Sequence, residues 1–225
     1  TNSHIRPFML DLVRSSAVSQ YFLFDKNITS NAVEVILDSG HVDLTRSDYV
    51  IVTDGDLLIQ DDDWLGEQLR ILTRCRDVFA CGVQLDLANL PIATFPEAHG
   101  WLPPIRGETE LYTEVPTGMH LVLMRAAGLR RFMKYLGTRN LRILDSVLCD
   151  YSYRVLRKKW VRTKRSTARH LAWDRYADLS HPYTKLKLAR SFDETWKHDS
   201  YCGFQRCTLQ GVTHCPGPVQ RRGGH

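Results

Sequence analysis

A short apolar run ends in two carboxylates separated by one glycine, and this feature constrains the chain more than any other. Tyr49 to Val52 form a β-branched and aromatic run of the kind that makes a buried strand in an α/β sheet. Asp54 and Asp56 follow, so both acids are expected at the carboxyl end of that strand. Ligands bind at this edge in open α/β sheets.

Two carboxylates this close repel each other unless a cation lies between them. Hard divalent ions such as Mg²⁺ and Mn²⁺ prefer oxygen ligands and often join protein carboxylates to substrate phosphates. The pattern therefore predicts a site for Mn²⁺ or Mg²⁺ at Asp54 and Asp56 that meets a diphosphate. The alternative is a strand that ends in an acidic turn, because Asp-Gly is common in turns.

Length and composition are those of an α/β domain, alone or with an appendage. The chain has 225 residues, of which 43% are hydrophobic, so it can bury a core. It holds no apolar run as long as a membrane span, and no signal-peptide pattern opens it. Its six cysteines form no CxxC pair, and two of them lie in apolar runs where reduced thiols are expected. These features predict a cytoplasmic protein.

The charges are unevenly distributed along the chain. Residues 1–120 hold 8 Lys and Arg against 18 Asp and Glu, whereas the remainder holds 22 against 7. A basic half attracts phosphates, nucleic acid or an anionic membrane surface. Its densest part is either a solvated face or a contact for a diphosphate, a lipid-linked acceptor or a peripheral membrane surface, and comprises Arg154, Arg157, Lys158, Lys159, Arg162, Lys164, Arg165 and Arg169.

Apolar strands alternate with helical patterns along the first two thirds of the chain. This alternation predicts an α/β fold with a mostly parallel central sheet flanked by helices. Two acids, Asp145 and Asp150, lie on one predicted helix, and His170 closes a later extended segment. After residue 200 the pattern gives way to a glycine- and proline-containing stretch that predicts a loose tail over 201–225.

The order of these motifs resembles the family 2 glycosyltransferases of GT-A fold, over roughly residues 20–175. The shared features are Asp54-Gly55-Asp56 after a strand, Thr117-Gly118 before another, an acid-bearing helix, Trp160-Val161 and a final histidine. In that family the two acids hold a divalent metal on the diphosphate of a sugar nucleotide. A later acid is the catalytic base, and its helix leads through a strand towards a histidine.

The resemblance implies a single GT-A-like domain over residues 1–200, with a nucleotide-sugar half at about 1–115 and an acceptor half at about 116–200. It implies a hexosyltransferase-like enzyme that uses a nucleotide-diphosphate sugar and a glycan or lipid-linked acceptor. His170 would complete the metal ligand set with Asp54 and Asp56, since imidazole suits Mn²⁺ better than Mg²⁺.

Two departures from the family leave alternatives open. Its Glu-Asp pair is absent, so Asp145 and Asp150 are rival bases for taking the proton of the acceptor hydroxyl. The strand and helix that usually bind the nucleobase of the donor are not recognisable before Pro7. Recognition of the nucleobase is therefore expected either from a preceding segment or from the region that includes Asp25 and Asn27.

Two other functions compete with glycosyl transfer. A haloacid-dehalogenase-type phosphotransferase also ends a strand in two acids, but it needs Gly-Thr after the second, where this chain has Leu57 and Leu58. A non-enzymatic anion- or nucleic-acid-binding α/β module would use the basic half. No nucleic-acid-binding motif is recognisable, and such a module leaves Asp54 and Asp56 unexplained, so no nucleic-acid partner is expected.

Overall fold

The computed structural model describes residues 5–25, 31–101, 104–115, 118–139, 143, 145–189 and 203–216. The chain divides into two compact units, one formed by Thr1–Val35 with Trp196–His225 and the other by Ile36–Thr195. Neither the predicted boundary at residue 115 nor that at residue 200 coincides with this division. Among the described residues, no helix has both the length and the apolar character that crossing a bilayer requires.

Helices and strands alternate along much of the chain. The helices are α1 (Ile5–Arg14), α2 (Asn31–Asp38), α3 (Trp64–Arg74), α4 (Ala126–Arg139), α5 (Asp145–Asp150), α6 (Leu171–Tyr176) and α7 (Pro182–Ala189). A 3₁₀ helix spans Pro96–Trp101, and a π-helical turn, Tyr151–Val155, continues α5. The strands are β1 (Gln20–Phe24), β2 (Tyr49–Val52), β3 (Leu57–Ile59), β4 (Val78–Leu85), β5 (Gly107–Glu108), β6 (Tyr112–Glu114), β7 (Val122–Arg125), β8 (Lys159–His170), β9 (Gly203–Thr208) and β10 (Gly211–Pro216).

The first unit contains a three-stranded antiparallel sheet in the order β1-β9-β10. Phe204 of β9 packs against Phe22 and Phe24 of β1, with ring centroids 5.9 and 5.0 Å apart. The prediction of a loose tail is therefore wrong for residues 203–216, which form a hairpin. Gly211, the first residue of β10 after the hairpin turn, adopts φ +133°, a conformation that residues with a side chain rarely adopt.

The second unit is built on a seven-stranded sheet in the order β2-β7-β4-β8-β6-β5, with β3 paired to β8. Among the described strands of this sheet, β4 and β8 form the parallel pair, whereas the other pairs are antiparallel. The predicted GT-A-like, mostly parallel sheet is therefore wrong, although the chain is mixed α/β. Hydrophobic periodicity identifies strands but carries no information on their direction, and β7 enters antiparallel between β2 and β4.

The directions of three strands bring distant residues to one edge of the sheet. β2 and β4 both run antiparallel to β7, and β8 runs parallel to β4. The carboxyl ends of β2 and β8 and the amino end of β7 consequently meet at the same edge. Asp54, His120 and His170 lie at or just beyond these strand ends.

The core of the second unit lies between the sheet and α3. Ile71 and Leu72 of α3 are buried against Cys81, Leu123 and Val161 from three neighbouring strands. Cys81 is one of the two cysteines in apolar runs that were expected to be reduced, and it is a buried free thiol. The hydrophobic stripe of α3 therefore fixes the centre of the sheet.

A buried carboxylate joins α3 to a turn within β8. Glu67 is 6% exposed and accepts hydrogen bonds from the backbone N–H groups of Lys164, Arg165 and Ser166 and from the Ser166 hydroxyl, at 2.7–3.1 Å. Burial on its own would raise the pKa of the Glu67 carboxyl, but these four hydrogen bonds outweigh it and lower that pKa.

The lowered pKa gives a stability test. The folded state favours ionised Glu67. Its contribution to the free energy of unfolding is therefore fully present above the pKa of the unfolded state and is lost as the pH falls through the pKa of the folded state. We expect Glu67→Gln to lower the free energy of unfolding by about 2 kcal/mol at pH 7. The difference from the unsubstituted protein should narrow below the ordinary glutamate pKa of 4.5. Urea unfolding between pH 3.5 and 7 measures it, with exposed Glu110→Gln as the control; a loss that is constant with pH would contradict the expectation.

Candidate functional site

The carboxyl end of β2 presents two acidic side chains. Asp54 and Asp56 follow Val52, the last residue of the strand, and their side chains are 47% and 42% exposed. Both acids thus lie at the sheet edge where the sequence analysis expected them, and both are accessible to a ligand.

The chain after Asp56 turns back and pairs with the end of β8. Leu57 lies opposite His170 in the antiparallel register, and the N–H of Leu171 donates to the carbonyl oxygen of Asp56 over 2.8 Å. This pairing leaves Nδ1 of His170 3.6 Å from Oδ2 of Asp56. A histidine and an acid that are far apart in sequence are therefore neighbours because of one strand pair.

The His170 ring stacks on Trp173 of α6, with centroids 5.0 Å apart and planes 5° from parallel. The backbone carbonyl oxygen of His170 accepts a hydrogen bond from Nδ2 of Asn89 over 2.9 Å. His170 is 9% exposed. Burial lowers the pKa of its imidazole; the Asp56 charge opposes this, and nearby His120 adds to it. The neutral imidazole, which is the form that binds metals, is thereby favoured.

A second histidine, His120, lies at the same edge, and the sequence analysis did not identify it as a site residue. In the antiparallel β2–β7 register the last residue of β2, Val52, pairs with the first residue of β7, Val122, so the segments that extend beyond this pair carry Asp54 and His120 to the same edge. Nδ1 of His120 is 2.7 Å from Oδ2 of Asp54. The His120 and His170 rings meet edge to face with centroids 5.1 Å apart. Only the antiparallel direction of β7 could have revealed this, and it is not visible in the sequence.

The residue after His120 has an unusual backbone conformation. Leu121 adopts φ +49°, although its side chain is 4% exposed and bulky. Such a conformation costs about 1–3 kcal/mol and persists where surrounding contacts enforce it. Here the carbonyl oxygen of Leu121 accepts from Nε2 of the buried Gln68 over 2.8 Å. The strained turn and this hydrogen bond fix the direction in which the chain presents His120.

Asp54, His120 and His170 form a compact set of potential metal ligands. One ligand atom from each residue lies within 4.8 Å of the other two. Nδ1 of both imidazoles is buried and has no hydrogen-bond partner among the described residues, since the short approach to Asp54 does not have hydrogen-bonding direction. Carboxylate oxygen and imidazole nitrogen are ligands for Mn²⁺ and other first-row ions.

Asp145, the first residue of α5, lies beside this set. Its Oδ1 accepts from the backbone N–H of Met119 over 3.2 Å. The side chain reaches solvent but is recessed among protein atoms, and this desolvation raises the pKa of its carboxyl. His120 and the Met119 N–H oppose that shift, and the Asp54 charge adds to it. A carboxylate with a raised pKa is a stronger proton acceptor, as a general base must be.

The other predicted site residues lie elsewhere or outside the described part of the chain. Asp150 is 61% exposed and pairs with Arg154, one turn along, over 3.3 Å. Of the two acids on α5, Asp145 is therefore the one that accompanies the histidines. Asp25 follows β1 in the first unit, where its N–H donates to the carbonyl oxygen of Gly203. Asn27 and Thr117 lie outside the described residues.

An aromatic cluster adjoins Asp56. Tyr176 of α6 packs against Phe95 and Trp101, with centroids 5.5 and 6.2 Å away, and stacks on Tyr183. Burial raises the pKa of the Tyr176 hydroxyl, its hydrogen bond with Tyr183 adds to this, and the Asp56 charge contributes in the same direction. The 3₁₀ helix Pro96–Trp101 thus contributes Trp101 to this aromatic cluster.

Gly118 provides a test of how tightly the site is assembled. A Cβ at this position would lie 2.5 Å from Nε2 of His120 and 3.0 Å from Oδ2 of Asp145. We expect Gly118→Ala to displace one of these side chains, costing about 1–3 kcal/mol in unfolding free energy and weakening Mn²⁺ binding about tenfold or more. Urea unfolding and calorimetric titration with Mn²⁺ measure the two effects.

Gly137 is the matched control for that experiment. Gly137 lies on α4, and no atom lies within 4 Å of the position that a Cβ would occupy there. Gly137→Ala should therefore leave Mn²⁺ binding unchanged and stabilise the helix by about 0.5–1 kcal/mol. Equal Mn²⁺ affinities for the two alanine variants would show that Gly118 does not support the site.

Sequence comparisons find uncharacterized viral relatives. The chain is 38% identical over 208 residues to uncharacterized protein L137, 37% over 209 residues to uncharacterized protein L142 and 36% over 208 residues to uncharacterized protein L138, all of Acanthamoeba polyphaga mimivirus. Each match covers 91% of this chain but only 28%, 42% and 23% of the respective relative. The chain thus spans less than half the length of these curated relatives. No protein-family model and no solved structure matches it.

Proposed function

We propose that this protein is a metal-dependent glycosyltransferase that moves a sugar from a nucleoside-diphosphate sugar to an acceptor hydroxyl. The observation that carries the proposal is the meeting of Asp54, His120 and His170, within 4.8 Å of one another, beside the recessed carboxyl of Asp145. This edge thus combines potential metal ligands with a proton acceptor.

The metal role is supported by the chemistry of the donor set. Asp54 and Asp56 hold negative charge at one strand end, where a cation would relieve their repulsion. The unpartnered Nδ1 atoms of His120 and His170 have the lone pairs that a divalent ion takes. A bound Mn²⁺ or Mg²⁺ would neutralise charge on the departing diphosphate. Asp54 and Asp56 are both accessible, so an ion bound there could contact the diphosphate of the donor.

Asp145 is the proposed general base. In a single displacement, the acceptor oxygen forms a bond to the anomeric carbon as the bond from that carbon to the diphosphate oxygen breaks. The hydroxyl proton passes to the Asp145 carboxylate, and the nucleoside diphosphate leaves. The transition state resembles an oxocarbenium ion, and one displacement inverts the anomeric configuration. Glycan and lipid-linked acceptors both supply the required hydroxyl.

The rival function, anion or nucleic-acid binding by the basic half, has less support from the described residues. Much of the basic run is engaged within the protein, through the contacts Arg154–Asp150, Lys158–Arg76 carbonyl, Lys159–Asp77, Lys164–Thr109 carbonyl and Arg169–Asp174. Cations held this way are less available to a polyanion. Salt-sensitive oligonucleotide binding without nucleotide-sugar binding would favour this rival.

Donor binding is the first test of the proposal. We expect one of UDP, GDP, dTDP and CDP to bind in the presence of Mn²⁺ and to bind about tenfold or more weakly without it. Asp54→Asn removes the carboxylate of the proposed ligand set at nearly constant volume and should abolish the metal dependence. Calorimetric titration of both proteins measures this, with exposed Asp38→Asn as the control. Binding of no nucleotide, or equal binding with and without metal, would count against the transferase.

The assignment of the base has its own test. Asp145→Asn keeps the size of the side chain but cannot accept the proton, so we expect the transfer rate to fall about 100-fold or more while nucleotide binding persists. Asp150→Asn should change the rate less than twofold, because Asp150 pairs with Arg154 on the surface. Single-turnover kinetics with the donor identified above separates chemistry from binding. The reverse order of the two variants would transfer the role to Asp150.

A further inference from the structure

We infer that His120 is a direct metal ligand with Asp54 and His170, and that this two-imidazole set selects a first-row transition ion such as Mn²⁺ over Mg²⁺. The inference deepens the proposed function, on which it rests for the diphosphate that the ion would meet. It narrows the expected cofactor from two ions to one class.

The first argument is the geometry of the His120 ring. Its Nδ1 approaches Oδ2 of Asp54 to 2.7 Å, which is hydrogen-bond distance, yet the ring N–H direction does not serve such a bond. An Asp–His ion pair built for structure would align donor and acceptor. Two atoms that converge without pointing at each other suit a third partner that accepts lone pairs from both.

The second argument is the matching environment of His170. It also has a buried, unpartnered Nδ1, and the residue is 9% exposed. A buried polar atom without a partner is costly, and two such atoms on neighbouring rings at one strand edge require an explanation. A cation that both imidazoles ligate satisfies them together.

The third argument is that the structure around His120 and His170 holds both imidazole rings in place, with a strained backbone beside His120. Leu121 is in the left-handed region beside His120, and a Cβ at Gly118 would contact the His120 ring. On the other side, Trp173 stacks on His170 with nearly parallel planes. Ligand residues must be held in orientation by their neighbours, and both rings have such support.

The donor set then determines which ion is favoured. Mg²⁺ prefers six oxygen ligands in regular octahedral geometry and keeps several waters, so two nitrogen donors suit it poorly. Imidazole is a borderline ligand that binds Mn²⁺, Co²⁺ and Zn²⁺. Three protein ligands also leave coordination positions for diphosphate oxygens and water.

Metal affinities of the full chain without nucleotide test the inference. Mn²⁺ binding is followed by the loss of the free-ion electron paramagnetic resonance signal, and Mg²⁺ by competition against Mn²⁺. We expect Mn²⁺ to bind at least about tenfold more tightly than Mg²⁺. His120→Asn should weaken Mn²⁺ binding about tenfold to a hundredfold and leave Mg²⁺ within about threefold, so that the preference collapses. His99→Asn, at an exposed histidine, is the matched control and should change neither affinity.

A measurement on the unsubstituted protein protects the test against a variant that does not fold. Electron spin echo envelope modulation of bound Mn²⁺ detects directly coordinated nitrogen. Coupling from two imidazoles supports the inference, whereas coupling from one or none overturns it. A folded His120→Asn that keeps the Mn²⁺ preference also overturns it, as does a protein that binds neither ion.

The outcomes separate this inference from the proposed function. If the two-nitrogen signal and the Mn²⁺ preference are found but no nucleoside diphosphate binds, the metal assignment stands and the glycosyltransferase proposal fails. If a nucleoside diphosphate binds with metal and sugar is transferred while His120→Asn keeps the ion preference, the transferase stands and the role of His120 is overturned.

Discussion

The candidate site depends above all on the antiparallel pairing of β7 with β2. That pairing carries Asp54 and His120 to the same edge of the sheet, although four strands, α3 and a 3₁₀ helix separate the two residues in sequence. A second pairing, of β3 with the end of β8, then brings His170 beside Asp56. Backbone hydrogen bonds between strands thus set the positions of the four side chains, and a shift of either register by one residue would turn them to the other face.

This arrangement places several titratable side chains close together, including carboxylates that repel one another. Two carboxylates and two imidazoles meet near a third carboxyl, and the surroundings favour a neutral His170 and raise the pKa of Asp145. Perturbed titrating groups are more frequent at functional sites than elsewhere. Hydrogen bonds to the Glu67 carboxylate and to the Leu121 carbonyl connect the adjoining structure to α3.

Sequence patterns located much of the candidate site but little of the sheet topology. Asp54 and Asp56 were identified from a strand end, whereas the roles of Asp145 and His170 came from the resemblance to family 2 glycosyltransferases. Asp150 satisfied the same patterns, but it pairs with Arg154 on the surface, whereas Asp145 lies beside His120 and Asp54. His120 was missed because a lone histidine before a strand has no local signature. The prediction of a mostly parallel sheet was wrong for the same reason, because the direction of a strand depends on which distant strand it pairs with.

By itself, the sequence determined the mixture of helices and apolar strands, the two acids at a strand end and the concentration of cations in the second half. These follow from local periodicity and composition, which act over a few residues. The tertiary structure alone decided the strand directions, the hairpin at residues 203–216 and the convergence of Asp54, His120 and His170. Those features depend on which distant segments pair, and that choice is made by the burial of whole strands and helices rather than by any local motif.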